Sequence, residues 1–325
     1  MNEGPHQDGI IAISHRERGH GMRAAGDSLP IPGGHDDIGR GAARDLNRCS
    51  GLLALSVLLD SAVEHYRGNY HNKAMLAPLI TSTLSLAASA HGVACGSPHK
   101  IRQGVFALAL ATGAAGTLFH VYNITKHPGG FSWQNLFYAA PLGAPSALTV
   151  SGLAGIFAER MHCAHDGDEP RLFGHGLARI TALTSAIAIV GTTAEAALLH
   201  FRGAFQNPFM FFPVTLPPVA AALLARDGLA PPKTAYPVTR GWLTATAVMG
   251  LAGAGFHIYG VSRAMGGWRN WRQNMVDGPP IPAPPSYTAL AFAGLAALRI
   301  LARPASGEPP MAPASMSLAQ PAPST

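Results

Sequence analysis

Eight apolar stretches constrain this chain more than any other feature. They lie at about 48–66, 75–94, 104–122, 138–158, 178–201, 209–226, 241–260 and 285–303. Each has roughly the 20 residues a helix needs to cross a hydrocarbon core of roughly 30 Å. Helices are also the only open-ended way to satisfy backbone N–H and C=O groups in lipid. Only 12% of the 325 residues are charged, about half of the roughly 25% of an ordinary soluble domain. That composition excludes an ordinary water-soluble enzyme, a disulfide scaffold and a wholly disordered chain. The expected fold class is all-α: a polytopic membrane protein with eight transmembrane helices and a polar tail at each end.

The positions of the basic residues suggest an orientation. Sixteen of the 23 Lys and Arg residues fall on the same side as the N-terminus, so the positive-inside rule places both termini in the cytoplasm of a bacterial inner-membrane protein. Cys49, Cys95 and Cys163 then lie at the reducing face and form no CxxC pair. Residues 1–46 are polar and Gly-rich with no apolar core, so they are expected to be a disordered cytoplasmic tail and not a signal peptide. Residues 304–325, rich in Pro, Ala and Ser, are expected to be a second disordered tail. No basic run with interleaved aromatics occurs, and nucleic acid is not an expected partner.

The chain also repeats itself. His65, Arg67, Gly68, Asn72, Met75 and Pro78 recur as His200, Arg202, Gly203, Asn207, Met210 and Pro213 at a constant offset of 135. Gly113, Gly116, Phe119, His120 and Tyr122 recur as Gly250, Gly253, Phe256, His257 and Tyr259 at an offset of 137. Trp133, Asn135, Pro145 and Thr149 recur as Trp271, Asn274, Pro284 and Thr288. The expectation is two tandem four-helix repeats, 47–160 and 177–303, joined by a cytoplasmic linker at 161–176. Four spans is an even number, so both repeats insert the same way up and equivalent residues share one depth.

Three constellations could carry chemistry. His65, His120, His200 and His257 end the four odd-numbered spans at the outer face, and Gly113, Gly116, Gly250 and Gly253 make a flat stripe below two of them. In a functional reading, His65 with His120 and His200 with His257 are axial pairs holding haem b iron, and the glycines clear space for the cofactor. In a structural reading, the histidines form an interfacial belt and the glycines let helices approach each other. Asp60 and Glu195, equivalent at offset 135, lie within spans one and five. A carboxylate there costs about 2.5–3.5 kcal/mol on insertion scales, which points to a proton or ion site or to a bond with a neighbouring helix. In the outer loops Arg67, Arg202, Asn72, Asn207, Trp133 and Trp271 suit a ligand or partner carrying carboxylate or phosphate, or loops that pack on one another.

The leading functional expectation is a haem b-binding redox or anchor subunit in contact with the lipid bilayer, a quinone and a periplasmic redox protein. The alternatives are a solute or proton-coupled transporter using Asp60 and Glu195, and a non-catalytic membrane scaffold. No motif assigns an enzymatic reaction.

Overall fold

The computed structural model describes residues 35–138, 141–164, 169–231 and 236–302. Apart from one two-residue antiparallel ladder, Arg171–Leu172 with His175–Gly176, their regular structure is helical. In order these are α1 (His35–Arg67), α2 (Ala77–Ala94), α3 (Lys100–Lys126), the short α4 (Trp133–Tyr138), α5 (Gly143–Cys163), α6 (Leu177–Arg202), α7 (Phe212–Leu229), α8 (Pro237–Arg263), the short α9 (Trp271–Asp277) and α10 (Pro285–Leu301). Proline stands in the first turn of α2, α7, α8 and α10, where its missing N–H costs nothing and its fixed φ favours a helix.

Five segments are long and apolar enough to cross a membrane: Ile38–Arg67, Lys73–Ala94, Lys100–Lys126, Leu177–Arg202 and Pro208–Leu229. α5 and α8 are long enough, but their Gly, Ser and Thr residues dilute the apolar character. α10 is apolar but has only 17 residues. Ile80, Leu84, Leu108, Leu118, Val190 and Leu251 are exposed on faces of their helices that lie outside any cleft. So much apolar surface is untenable in water and fits a lipid surround.

The packing is built on small residues. α10 lies against α1, α6 and α8, and α5 lies against α1 and α3. Ala42, Ala43, Ala158, Ala178, Ala182, Ala289 and Ala297 are fully buried in one core, where small side chains let backbones approach closely. Between α1, α2 and α5 the contact is polar. Ser89 Oγ donates to Ser50 Oγ at 2.9 Å, Ser151 Oγ donates to the Ser50 carbonyl at 2.9 Å, and Ser85 and Ser151 share a bond of 3.1 Å.

Some boundaries differ from the expectation. Helix α1 starts at His35, not near 47, and Ala42, Ala43 and Leu46 are buried. The polar appearance of this stretch is offset by pairing: the buried Asp45 carboxylate holds Arg48 at 2.9 Å and Arg299 of α10 at 3.1 Å. The expected linker carries the small ladder and the last turn of α5. The remainder of the expected tails, residues 1–34 and 304–325, lies outside the described residues.

Candidate functional site

The loops that follow α1 and α6 are built alike. After α1, Asn69 and Tyr70 take left-handed φ of 54° and 45°, and the Tyr70 N–H returns to the His65 carbonyl at 3.0 Å. After α6, Ala204 and Phe205 take φ of 56° and 46°, and the Phe205 N–H returns to the His200 carbonyl at 3.0 Å. Asn72 and Asn207 then cap the following turns, their side-chain oxygens accepting from Ala74 N and Phe209 N. Holding non-glycine residues at positive φ is costly, and both loops do so at the same two places.

These loops position the histidines. Nδ1 of His65 lies 2.7 Å from the Met75 carbonyl and that of His120 lies 2.6 Å from the Pro141 carbonyl. Nδ1 of His200 lies 2.8 Å from the Met210 carbonyl and that of His257 lies 2.7 Å from the Pro280 carbonyl. A carbonyl oxygen can only accept, so each Nδ1 must carry the proton. In the neutral ring Nε2 is then left with a bare lone pair. Metal-bound histidines are commonly oriented in this way, by a second hydrogen bond through the other ring nitrogen. His65 lies within electrostatic reach of His120, and His257 within reach of His200.

The glycine stripes meet backbone. A Cβ on Gly113 would lie 2.4 Å from Thr149 N and 2.7 Å from the Pro145 carbonyl, and one on Gly116 would touch Pro145 Cβ at 3.1 Å. A Cβ on Gly250 would lie 2.8 Å from the Pro284 carbonyl, and one on Gly253 would lie 2.8 Å from Pro284 Cβ. The flat faces are thus occupied by the first turns of α5 and α10, which seat themselves against α3 and α8.

Arg67 and Arg202 are also engaged. Arg67 binds Glu64 at 2.9 Å, the Val276 carbonyl, and Asp277 at 3.9 Å, so it ties α1 to the end of α9. Arg202 lies over the rings of Phe137 and Tyr138 at 5.7 and 5.6 Å, tying α6 to α4. Trp133 and Trp271 are both largely exposed.

Asp60 and Glu195 open into one cleft of about 2890 Å³, walled by α1, α5, α6, α8, α10 and the outer loops. Small-molecule sites are typically about 300–1,000 Å³, so this one has room for a large ligand. His200, His257, Arg67, Arg202 and Trp133 also line it. Glu195 Oε1 accepts from the Gly143 N–H at 3.1 Å, at the first turn of α5. A Cβ on Gly143 would fall 1.4 Å from Glu195 Oε2, so this carboxylate requires glycine there. Asp60 has no hydrogen-bond partner among the described residues, and the charges nearest it are Glu64, Glu195 and Arg67.

A second polar cluster was not anticipated. Buried Arg102 and Glu159 pair at 2.7 Å, Glu159 also accepts from His99 N at 2.8 Å, and Arg102 meets His91 Nδ1 at 2.9 Å. Among the described residues, no group of three or more His, Cys, Asp or Glu side chains is arranged to hold a metal ion.

No protein-family model matches this sequence, and neither a curated protein nor a solved structure shows detectable similarity to it. The functional reading therefore rests on the geometry of the site itself.

Proposed function

We propose that this chain is a haem b-binding redox or anchor subunit of the bacterial inner membrane, with eight spans in two tandem repeats and both termini in the cytoplasm. One observation carries the reading: four imidazoles, in two pairs, each have Nδ1 committed to a backbone carbonyl and Nε2 left over. The recurrence of those bonds, and of the paired left-handed loop residues, at offsets of 135 and 137 supports the duplication. His200 and His257 are the better candidates for iron ligands, because both line the cleft and Arg202 and Arg263 lie at its outer end. Guanidinium groups suit the two propionates of haem. When bound, haem would supply one-electron redox chemistry. The protein would fix both imidazoles, exclude water with the apolar wall and bring a partner to the outer face.

The test is an absorption spectrum of the full chain purified from cells supplied with haem, before and after dithionite. A Soret band that shifts on reduction, lost in His200→Ala and in His257→Ala, is the expected result. Absence of any band, or a band unaffected by all four histidine substitutions, contradicts the reading.

The cleft favours a second reading, proton-coupled solute transport with Asp60 and Glu195 as ion sites. Solute uptake abolished by Asp60→Asn and Glu195→Gln would support it, and wild-type uptake in the double variant would remove it.

A further inference from the structure

We infer that the cleft is a binding site for an isoprenoid quinol, with Asp60 and Glu195 accepting its two protons. This deepens the haem reading and rests on it for the electron acceptor. The shape of the cleft points to the ligand class. Along α1 its lining runs from Leu53 to Arg67, about 21 Å at the helical rise of 1.5 Å per residue, so it is long as well as roomy. Its deep end is apolar, with Leu53, Val57, Val150, Leu153, Ile187 and Val248 among its walls. Ile187 is 73% and Val248 61% exposed, which leaves the wall open where a bilayer would lie. An occupant should therefore be a long, lipid-soluble molecule that arrives sideways.

The polar groups narrow the choice. Two carboxylates face one space, and among the described residues they accept a single hydrogen bond between them, from Gly143. Their remaining acceptor capacity matches a molecule with two O–H donors. In the tandem alignment Pro282 stands where Gly143 stands, with Ala283 and Pro284 following it as Ala144 and Pro145 follow Gly143. Proline has no N–H, so Asp60 lacks the bond that Glu195 has and is the freer base. Oxidation of the hydroquinone breaks two O–H bonds and yields the quinone, two protons and two electrons. Asp60 and Glu195 each take one proton. With haem bound, the two electrons would leave one at a time, to two oxidised haem groups or to one that the periplasmic redox protein reoxidises between the two steps.

The experiment uses the full chain in detergent, stripped of native quinone, with decylubiquinone as the probe. Trp133 lines the cleft, so saturable quenching of tryptophan fluorescence that disappears in Trp133→Phe is expected, with or without haem. In haem-loaded protein, decylubiquinol should reduce the haem. Asp60→Asn with Glu195→Gln should slow that step by roughly 10²-fold or more, the scale of a lost general base, while dithionite reduction and the haem spectrum stay unchanged. Haem that binds but no saturable quenching overturns the quinol site and leaves the haem reading standing. Saturable quenching in a chain that never takes up haem overturns the haem reading and the electron transfer that depends on it. Unchanged reduction by quinol in the double variant overturns the role of the two carboxylates.

Discussion

Each of the four histidines that close α1, α3, α6 and α8 bonds to a carbonyl shortly before the next long helix, and this is how a residue type legible in sequence acquires a chemical identity. Position and recurrence single out His65, His120, His200 and His257. Their tautomer does not follow from either, because it depends on backbone oxygens 10 to 23 residues away in loops that no periodicity governs. Arg102 shows the opposite failure. Counted by sign alone it is an orientation signal, yet it is buried against Glu159, 57 residues further along the chain. Beside that pair sits His162, whose Nε2 is buried with no hydrogen-bond partner among the described residues. Burial lowers the His162 pKa from its ordinary 6.5, Glu159 opposes the shift and Arg102 adds to it. The folded chain therefore holds His162 neutral where the unfolded chain protonates it. Its contribution to stability is complete above the ordinary value and is lost as pH falls through the lower folded value. Thermal unfolding in detergent should shift to lower temperature between about pH 7.5 and about pH 5, and His162→Gln should flatten that dependence. Identical pH profiles for the two proteins would refute the assignment.

At the scale of the element, the long helices were legible because an apolar run long enough to span lipid is a strong signal. Their ends were less so. Helix α1 begins before its apolar run because Asp45 meets Arg299 of α10, a partner far away in sequence. The short helices α4 and α9 were missed because six or seven residues carry no usable period. The glycine stripe was legible as a flat face but ambiguous between a cofactor and a backbone, and α5 and α10 occupy it. Gly113→Ala should therefore cost about 1–3 kcal/mol, the usual scale of overpacking, since its Cβ would lie 2.4 Å from Thr149 N. Gly104, on the same helix with nothing within 4 Å of its Cβ position, is the control. Gly104→Ala should be neutral or stabilise by about 0.5–1 kcal/mol. Thermal unfolding of both variants in detergent checks the contrast, and equal shifts would mean that α3 and α5 are not in close contact at Gly113.

For the whole molecule, the repeated motifs suggest two halves, but the cleft could not be seen in sequence because residues from helices far apart in the chain wall it. It gathers Asp60 from α1, Glu195 from α6, and His200 and His257 from α6 and α8. The charge asymmetry makes a separate prediction about orientation. Cys49 is buried, and the charge asymmetry puts the half-buried Cys95 and the exposed Cys163 on the cytoplasmic side, so a membrane-impermeant maleimide applied to intact cells should leave the native chain unlabelled. A cysteine replacing the exposed Trp271, in a chain lacking the native thiols, should label fully. Labelling of Cys163 from outside would invert the topology. The central claim, that imidazole pairs hold haem through their free Nε2 atoms, is tested most directly by near-infrared magnetic circular dichroism of the oxidised, haem-loaded protein, which reports the axial ligand pair. The expected result is a low-spin bis-imidazole signature that is lost when either His200 or His257 is replaced. A high-spin signature, or histidine–methionine ligation, would contradict it.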